Sequence, residues 1–74
     1  MDTVGYEVQI IWDDEARVWI ATSADIPGLV LESGSVDVLI ERVRTAVSEL
    51  LEIDEKSREG ASLNFSIARQ MVVA

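Results

Sequence analysis

The chain contains neither cysteine nor histidine. No disulfide can brace it, and a tetrahedral zinc site built from thiolate and imidazole has no ligands to draw on. The same absence removes the usual nucleophile and the usual base of hydrolytic sites, so hydroxyls such as Thr22 and Ser23 have no imidazole to activate them. Positive charge is scarce. Six Lys and Arg stand against 14 Asp and Glu, a formal net charge of −8 at pH 7. Such a surface repels phosphate backbones, and direct nucleic-acid binding is not expected. It suits solubility or a basic partner. Aromatics are few: Tyr6, Trp12, Trp19 and Phe65. Basic residues do not interleave with them as they would on a base-stacking platform, so core or interface positions are expected. No apolar run approaches the ~20 residues of a membrane span. The opening "MDTVGYEV" has neither a basic nor a long apolar signal region, so a cytoplasmic location is expected. With one proline and four glycines, each bend-forming residue marks a particular place.

What is present is an apolar fraction of 49% in 74 residues, enough for one globular domain spanning 1–74. A chain this short buries proportionally little surface and is marginal alone. Small domains lean on disulfides, metals or partner chains. With disulfide and zinc removed, oligomerisation is the expected support.

Hydrophobic periodicity divides the chain into five elements. In Tyr6–Trp12, "YEVQIIW", Tyr6, Val8, Ile10 and Trp12 alternate with Glu7 and Gln9, which predicts a strand. The polar "DDEA" of Asp13–Ala16 predicts a hairpin loop. Arg17–Ser23, "RVWIATS", predicts a second strand from its β-branched and aromatic residues. Asp25-Ile26-Pro27-Gly28 then predicts a tight turn. Pro27 presets φ near −65° for the first central position, and Gly28 accepts the positive φ that a type II turn needs at the second. Ile26 is held extended by the proline after it. Asp25 is placed to accept hydrogen bonds from nearby backbone N–H groups. Leu29–Glu32 follows as a third strand.

Ser35 predicts a helix N-cap, with Asp37 in the first turn where the helix dipole favours an acid. From there Val36, Leu39, Ile40, Val43, Ala46, Val47, Leu50 and Leu51 fall within an arc of about 140° at helical spacing. One face of the helix therefore meets a core. Glu41–Arg44 and Glu52–Lys56 are favourable pairs on the outer face, and the helix is expected to end between Asp54 and Lys56. A polar loop, Glu55–Ala61, leads to a last strand, Ser62–Ala68, extended into "MVV". The expected fold is α+β, a β-β-β-α-β unit with one amphipathic helix on one face of a three- to four-stranded antiparallel sheet.

One helix covers one sheet face. The second strand is apolar on both faces (Val18, Trp19, Ile20, Ala21), and Ile11 interrupts the polar side of the first. Some large apolar residues must therefore face away from the helix, and such a patch marks a contact surface. A homodimer or higher homo-oligomer is expected, with Ile11, Trp19, Met71 and Val72 as candidate contacts.

Candidate chemistry is thin. Asp13, Asp14 and Glu15 are adjacent, with Asp25 at the next turn. Convergent carboxylates can hold a divalent cation for phosphoryl chemistry. Adjacent residues at a hairpin tip are solvated and do not converge, and the D-x-[DN]-x-[DN]-G calcium loop is absent. Gly28 and Gly34 are isolated and form no phosphate loop. No catalytic, metal or cofactor site is expected.

The segment "YEVQIIWDDEARVWIATSADIPGLVLESGSVDVLIERVRTAVSELLE" resembles the HicB-like antitoxin superfamily. The parallels are an aromatic opening to the first strand, an acidic hairpin, an aromatic-to-alanine strand, the Asp-Leu-Pro-Gly core carried here by Asp25 to Gly28, and the amphipathic helix carried by Val36 to Leu51. It is most similar to a subgroup of stand-alone, uncharacterised domains. The resemblance implies a partial RNase H-like unit without that fold's catalytic carboxylates, and no enzyme activity. It implies an antitoxin-type module that occludes a small basic ribonuclease toxin. On that reading the exposed acids Asp13, Asp14, Glu15 and Asp25 are the candidate partner contacts. Many such antitoxins also carry a C-terminal DNA-binding segment. Six residues follow Ala68 here, so repression by this chain alone is not expected. The alternative is a stand-alone oligomeric domain, a scaffold or small-ligand module with no toxin.

Overall fold

A computed structural model describes residues 4–50 and 61–73. Among the described residues four strands and one helix occur in the expected order: β1 (Val4–Asp13), β2 (Val18–Thr22), β3 (Val30–Ser33), α1 (Val36–Leu50) and β4 (Ala61–Ala68). The predicted end of the helix at Asp54 to Lys56, the Glu52–Lys56 pair and most of the loop after it lie outside the described residues.

The strands form one sheet in the order β3-β2-β1-β4. β1 and β2 are a hairpin with Ile10 opposite Ala21 and Trp12 opposite Trp19. β3 lies antiparallel to β2, with Leu31 opposite Ala21. β4 departs from the expected antiparallel sheet. It runs parallel to β1, with Tyr6 opposite Leu63 and Ile11 opposite Ala68. The reason is connectivity. Two antiparallel steps leave β3 parallel to β1, and the chain then enters a helix. A helical crossover is the connection that lets a strand return in the direction of its predecessor.

The extension of β4 into "MVV" is also corrected. Residues 69–73 belong to no strand. Ala68 pairs with Ile11, close to the end of β1, and Arg69 leaves the ladder to stack on indole rings.

The register assigns the two faces. Val8, Ile10 and Ala21 point to the helix and are buried with Leu39, Val43 and Val47 of α1 and with Ile26 and Leu29 of the turn before β3. Tyr6, Trp19, Leu31, Ile40, Ala46, Leu63 and Phe65 pack round this core. The helix is fastened where its sequence said it would be. Ser35 Oγ accepts from the Val38 N–H at 3.3 Å, and its carbonyl accepts from Leu39 N–H at 3.0 Å. The Glu41–Arg44 pair forms at 3.8 Å with both side chains exposed, so its contribution is small. Among the described residues α1 lies chiefly against β2 and β3. The side of β4 that shares its face is only partly covered, and Ile67 is 49% exposed.

Candidate functional site

The hairpin acids serve the loop that carries them. Asp13 Oδ1 accepts from the N–H groups of Glu15 at 3.0 Å and Ala16 at 3.2 Å. Its carbonyl accepts from Arg17 N–H at 2.8 Å. Arg17 has φ 58°, in the left-handed region that costs a non-glycine residue about 1–2 kcal/mol. That conformation swings the chain from the loop into β2. Asp14 Oδ1 accepts from Trp12 Nε1 at 3.2 Å and from the Arg17 guanidinium at 2.9 Å. Asp13 and Asp14 are thus engaged within the hairpin, while Glu15 is exposed. Among the described residues no three acidic side chains gather as cation ligands do.

Asp25 lies at the other end of β1. The Asp-Ile-Pro-Gly segment has the expected geometry: Leu29 N–H donates to Ile26 C=O at 3.2 Å across Pro27 and Gly28, and Gly28 has φ 85°. Past Thr22 the second strand can no longer pair with β1, which leaves Glu7 without a backbone partner on that side. Side chains take over. Asp25 Oδ2 accepts from Glu7 N–H at 2.8 Å, and Ser23 Oγ donates to Glu7 C=O at 2.5 Å. Asp25 N–H in turn donates to Ser23 Oγ at 3.1 Å. Two polar side chains thereby continue the ladder for one more residue, and the corner is a structural joint. The four acids named from the sequence do not form one patch. Asp25 is bonded at Glu7 and the other three follow Trp12, about 20 Å apart along β1 at ~3.3 Å per residue.

The aromatic and cationic residues converge at the hairpin end. The Trp12 and Trp19 rings meet edge to face at 5.2 Å. The Arg69 guanidinium stands 4.2 Å from the Trp12 centroid and 5.8 Å from that of Trp19, and Arg17 is 5.2 Å from Trp12. Two cations so bracket an indole pair in an otherwise acidic protein. Trp19, expected to face away from the helix, is on the helix side of the sheet. Its pairing with Trp12 decides this, because directly opposed residues share a face. Arg69 escaped the sequence reading. It becomes visible only once β4 is known to run parallel to β1, since Ala68 opposite Ile11 sets residue 69 beside Trp12. Removing it in Arg69→Ala is expected to cost about 1 kcal/mol. Tryptophan emission should shift to the red as the rings gain water, and an unshifted spectrum would discount the stack. Beside it, Ile11, Trp12, Asp14, Ala68, Arg69 and Gln70 line an open cleft of about 620 Å³. Met71 and Val72 extend beyond Arg69, 68% and 88% exposed. Neither thiol nor imidazole exists to give this end nucleophilic chemistry.

The face opposite the helix is the broadest surface the sheet offers. Ala68, Ile11 and Ile20 lie side by side across three strands, and the row ends on Glu32 of β3. Val18 and Val30 flank it. Ile11 is 55% exposed and Val30 69%. Glu7 and Asp13 are on the same side of β1, and none of the strand residues on this face is basic.

The chain matches over residues 5–73 the family described as a domain of unknown function, DUF1902. It belongs to that family. The fold is shared with a crystal structure of the hypothetical protein TTHA1013 from the extremely thermophilic bacterium Thermus thermophilus. The two are 34% identical, with a TM-score of 0.75 over 93% of this chain and 99% of that one. No curated protein matches the chain. Among the described residues, no helix of this DUF1902 domain is long and apolar enough to cross a membrane.

Proposed function

We propose that this DUF1902 protein is a non-enzymatic protein-binding module of the HicB-like antitoxin type, which engages a small basic ribonuclease toxin. The observation that carries the reading is the helix-free sheet face. It presents an apolar row from the exposed Ile11 to the half-buried Ile20, carboxylates at Glu7, Asp13 and Glu32, and no basic strand residue. An apolar centre with a charged rim of one sign is what a protein surface of opposite charge recognises. The mechanism is occlusion. The toxin's cationic RNA-binding surface lies on the acids, and its apolar surround beds on the Ile11–Ile20 row. The order Asp25-Ile26-Pro27-Gly28 and the amphipathic α1 support the family reading. The hairpin carboxylates Asp13 and Asp14 support a non-enzymatic role, because both already hold the loop.

Tagged chain purified from its native cells is expected to retain a small basic protein at one-to-one stoichiometry. That protein should degrade RNA alone and be inhibited on adding the chain back. Ile11→Lys combined with Glu32→Lys replaces two exposed side chains and should weaken inhibition by about 30-fold or more, equivalent to ~2 kcal/mol. A retained protein without ribonuclease activity, or inhibition indifferent to both substitutions, overturns the reading in favour of a stand-alone domain.

A further inference from the structure

The two edges of the sheet are built differently. β3 has four residues, carries Glu32, and has its Glu32 carbonyl met by the Arg42 guanidinium of α1 at 3.4 Å. Shortness, charge and a covering side chain are the means by which proteins blunt an edge. Among the described residues β4 has none of them. It runs for eight residues, "ASLNFSIA", without a charge or a proline, in a chain that is 27% charged. Among the described residues no strand pairs with its outer side.

Which groups that edge offers follows from β1. Glu7 directs its N–H and C=O towards Asp25 and Ser23, on the β2 side. Backbone direction alternates along a strand, so Val8 and Ile10 direct theirs towards β4. In a parallel pair Val8 then bonds the neighbours of its partner Phe65, namely Asn64 and Ser66. That leaves the N–H and C=O of Leu63, Phe65 and Ile67 pointing outward from the sheet.

We propose that this edge is a self-association surface: β4 pairs antiparallel with β4 of a second copy about a two-fold axis at Phe65. The strand is self-complementary in that register. Phe65 meets its own counterpart and Leu63 meets Ile67, each exchanging a pair of backbone hydrogen bonds. These side chains are on the helix side, where Leu63 and Phe65 are half-buried and Ile67 is 49% exposed. On the other face Asn64 meets Ser66, and Ser62 meets Ala68. The self-complementary register selects a second copy as the occupant, and the neutrality of the strand permits the approach. Two chains of net charge −8 repel across most of their surfaces, and this neutral strand is where they can approach without opposing like charges. Pairing there closes the edge as a two-fold dimer and joins two four-stranded sheets into one.

The test is molar mass by light scattering together with amide hydrogen exchange, on the chain alone. The wild-type chain is expected to be a dimer, with the Leu63, Phe65 and Ile67 amides protected. Asn64→Glu with Ser66→Glu, made together with Glu7→Gln to remove the carboxylate that faces residue 64 within the chain, sets glutamates opposite each other across the axis on exposed positions. It should give a folded monomer in which those three amides exchange at least about 100-fold faster, while Ser62, Asn64 and Ser66 amides stay protected by β1. Asn64→Lys with Ser66→Glu sets opposite charges in the same places and should restore the dimer. A wild-type monomer at 100 μM (taken as roughly the upper working range), or a dimer that survives the double glutamate with its three amides unprotected, overturns the proposal. If the double glutamate fails to fold, fast exchange at Leu63, Phe65 and Ile67 in the wild-type dimer overturns it without the variant.

Discussion

Ile26→Ala is expected to remove roughly 2–5 kcal/mol from the stability of this domain. Ile26 is fully buried although it sits in a turn, and it is among the largest side chains wholly inside the core. It and Leu29 bracket the exposed pair Pro27 and Gly28, so the corner is pinned at both ends by apolar side chains. Truncation leaves a cavity that a proline-restricted backbone is poorly able to collapse. A domain of this size has in total only about 4–11 kcal/mol to lose, at the usual stability per residue. The variant should therefore unfold at much lower urea, or be unfolded at 37 °C. Pro27→Ala, by contrast, acts through the entropy of the unfolded chain and should cost about 0.4–1 kcal/mol. Urea titration of both gives the comparison. An Ile26→Ala loss smaller than that of Pro27→Ala would mean that the corner is not anchored by its isoleucine.

Asp25→Ala should cost about 1–3 kcal/mol, the range for leaving a backbone donor without a charged acceptor. The exposure of Asp25 places the result towards the lower end, because water reaches the vacated position. The more specific readout is local. Glu7 N–H, bonded to Asp25 Oδ2, should exchange with solvent far faster, while the amides of the Gln9–Asp13 ladder keep their protection. Asp25→Asn retains an acceptor oxygen and should preserve much of the protection. Ser23→Ala removes the reciprocal bond to the Glu7 carbonyl. The double variant should show a coupling of about 0.5 kcal/mol or more, since both side chains serve one residue and one another. Unchanged exchange at Glu7 in Asp25→Ala would show that the ladder does not depend on this carboxylate. The result also bears on binding. Lost partner affinity in Asp25→Ala would first have to be separated from a loosened corner.

Much of this architecture is legible in the residues. Alternation in Tyr6–Trp12, the helical spacing from Val36, the Ser35 cap and the Pro27–Gly28 pair each report a local preference, and local geometry follows local sterics and hydrogen bonding. Ile11 was recognisable as facing away from the helix because it breaks an alternation. Trp19 was not assignable in that way. With apolar neighbours on both sides its face depends on register, and register is set by the pairing of Trp12 with Trp19 across the hairpin. The acids were recognisable as turn residues, but their bonds to Trp12, Arg17 and Glu7 were not.

The order of elements, the course of the Asp25–Gly28 corner and the apolar stripe of α1 were determined by sequence alone, because each depends on residues within a few positions of one another. The direction of β4, the separation of Asp25 from the hairpin acids and the stacking of Arg69 on Trp12 were decided only in three dimensions. A strand of small polar and apolar residues pairs equally well in either direction by its own preferences. The route through the helix settles which end it enters, and with that single choice falls every contact that residues 61–73 make with β1.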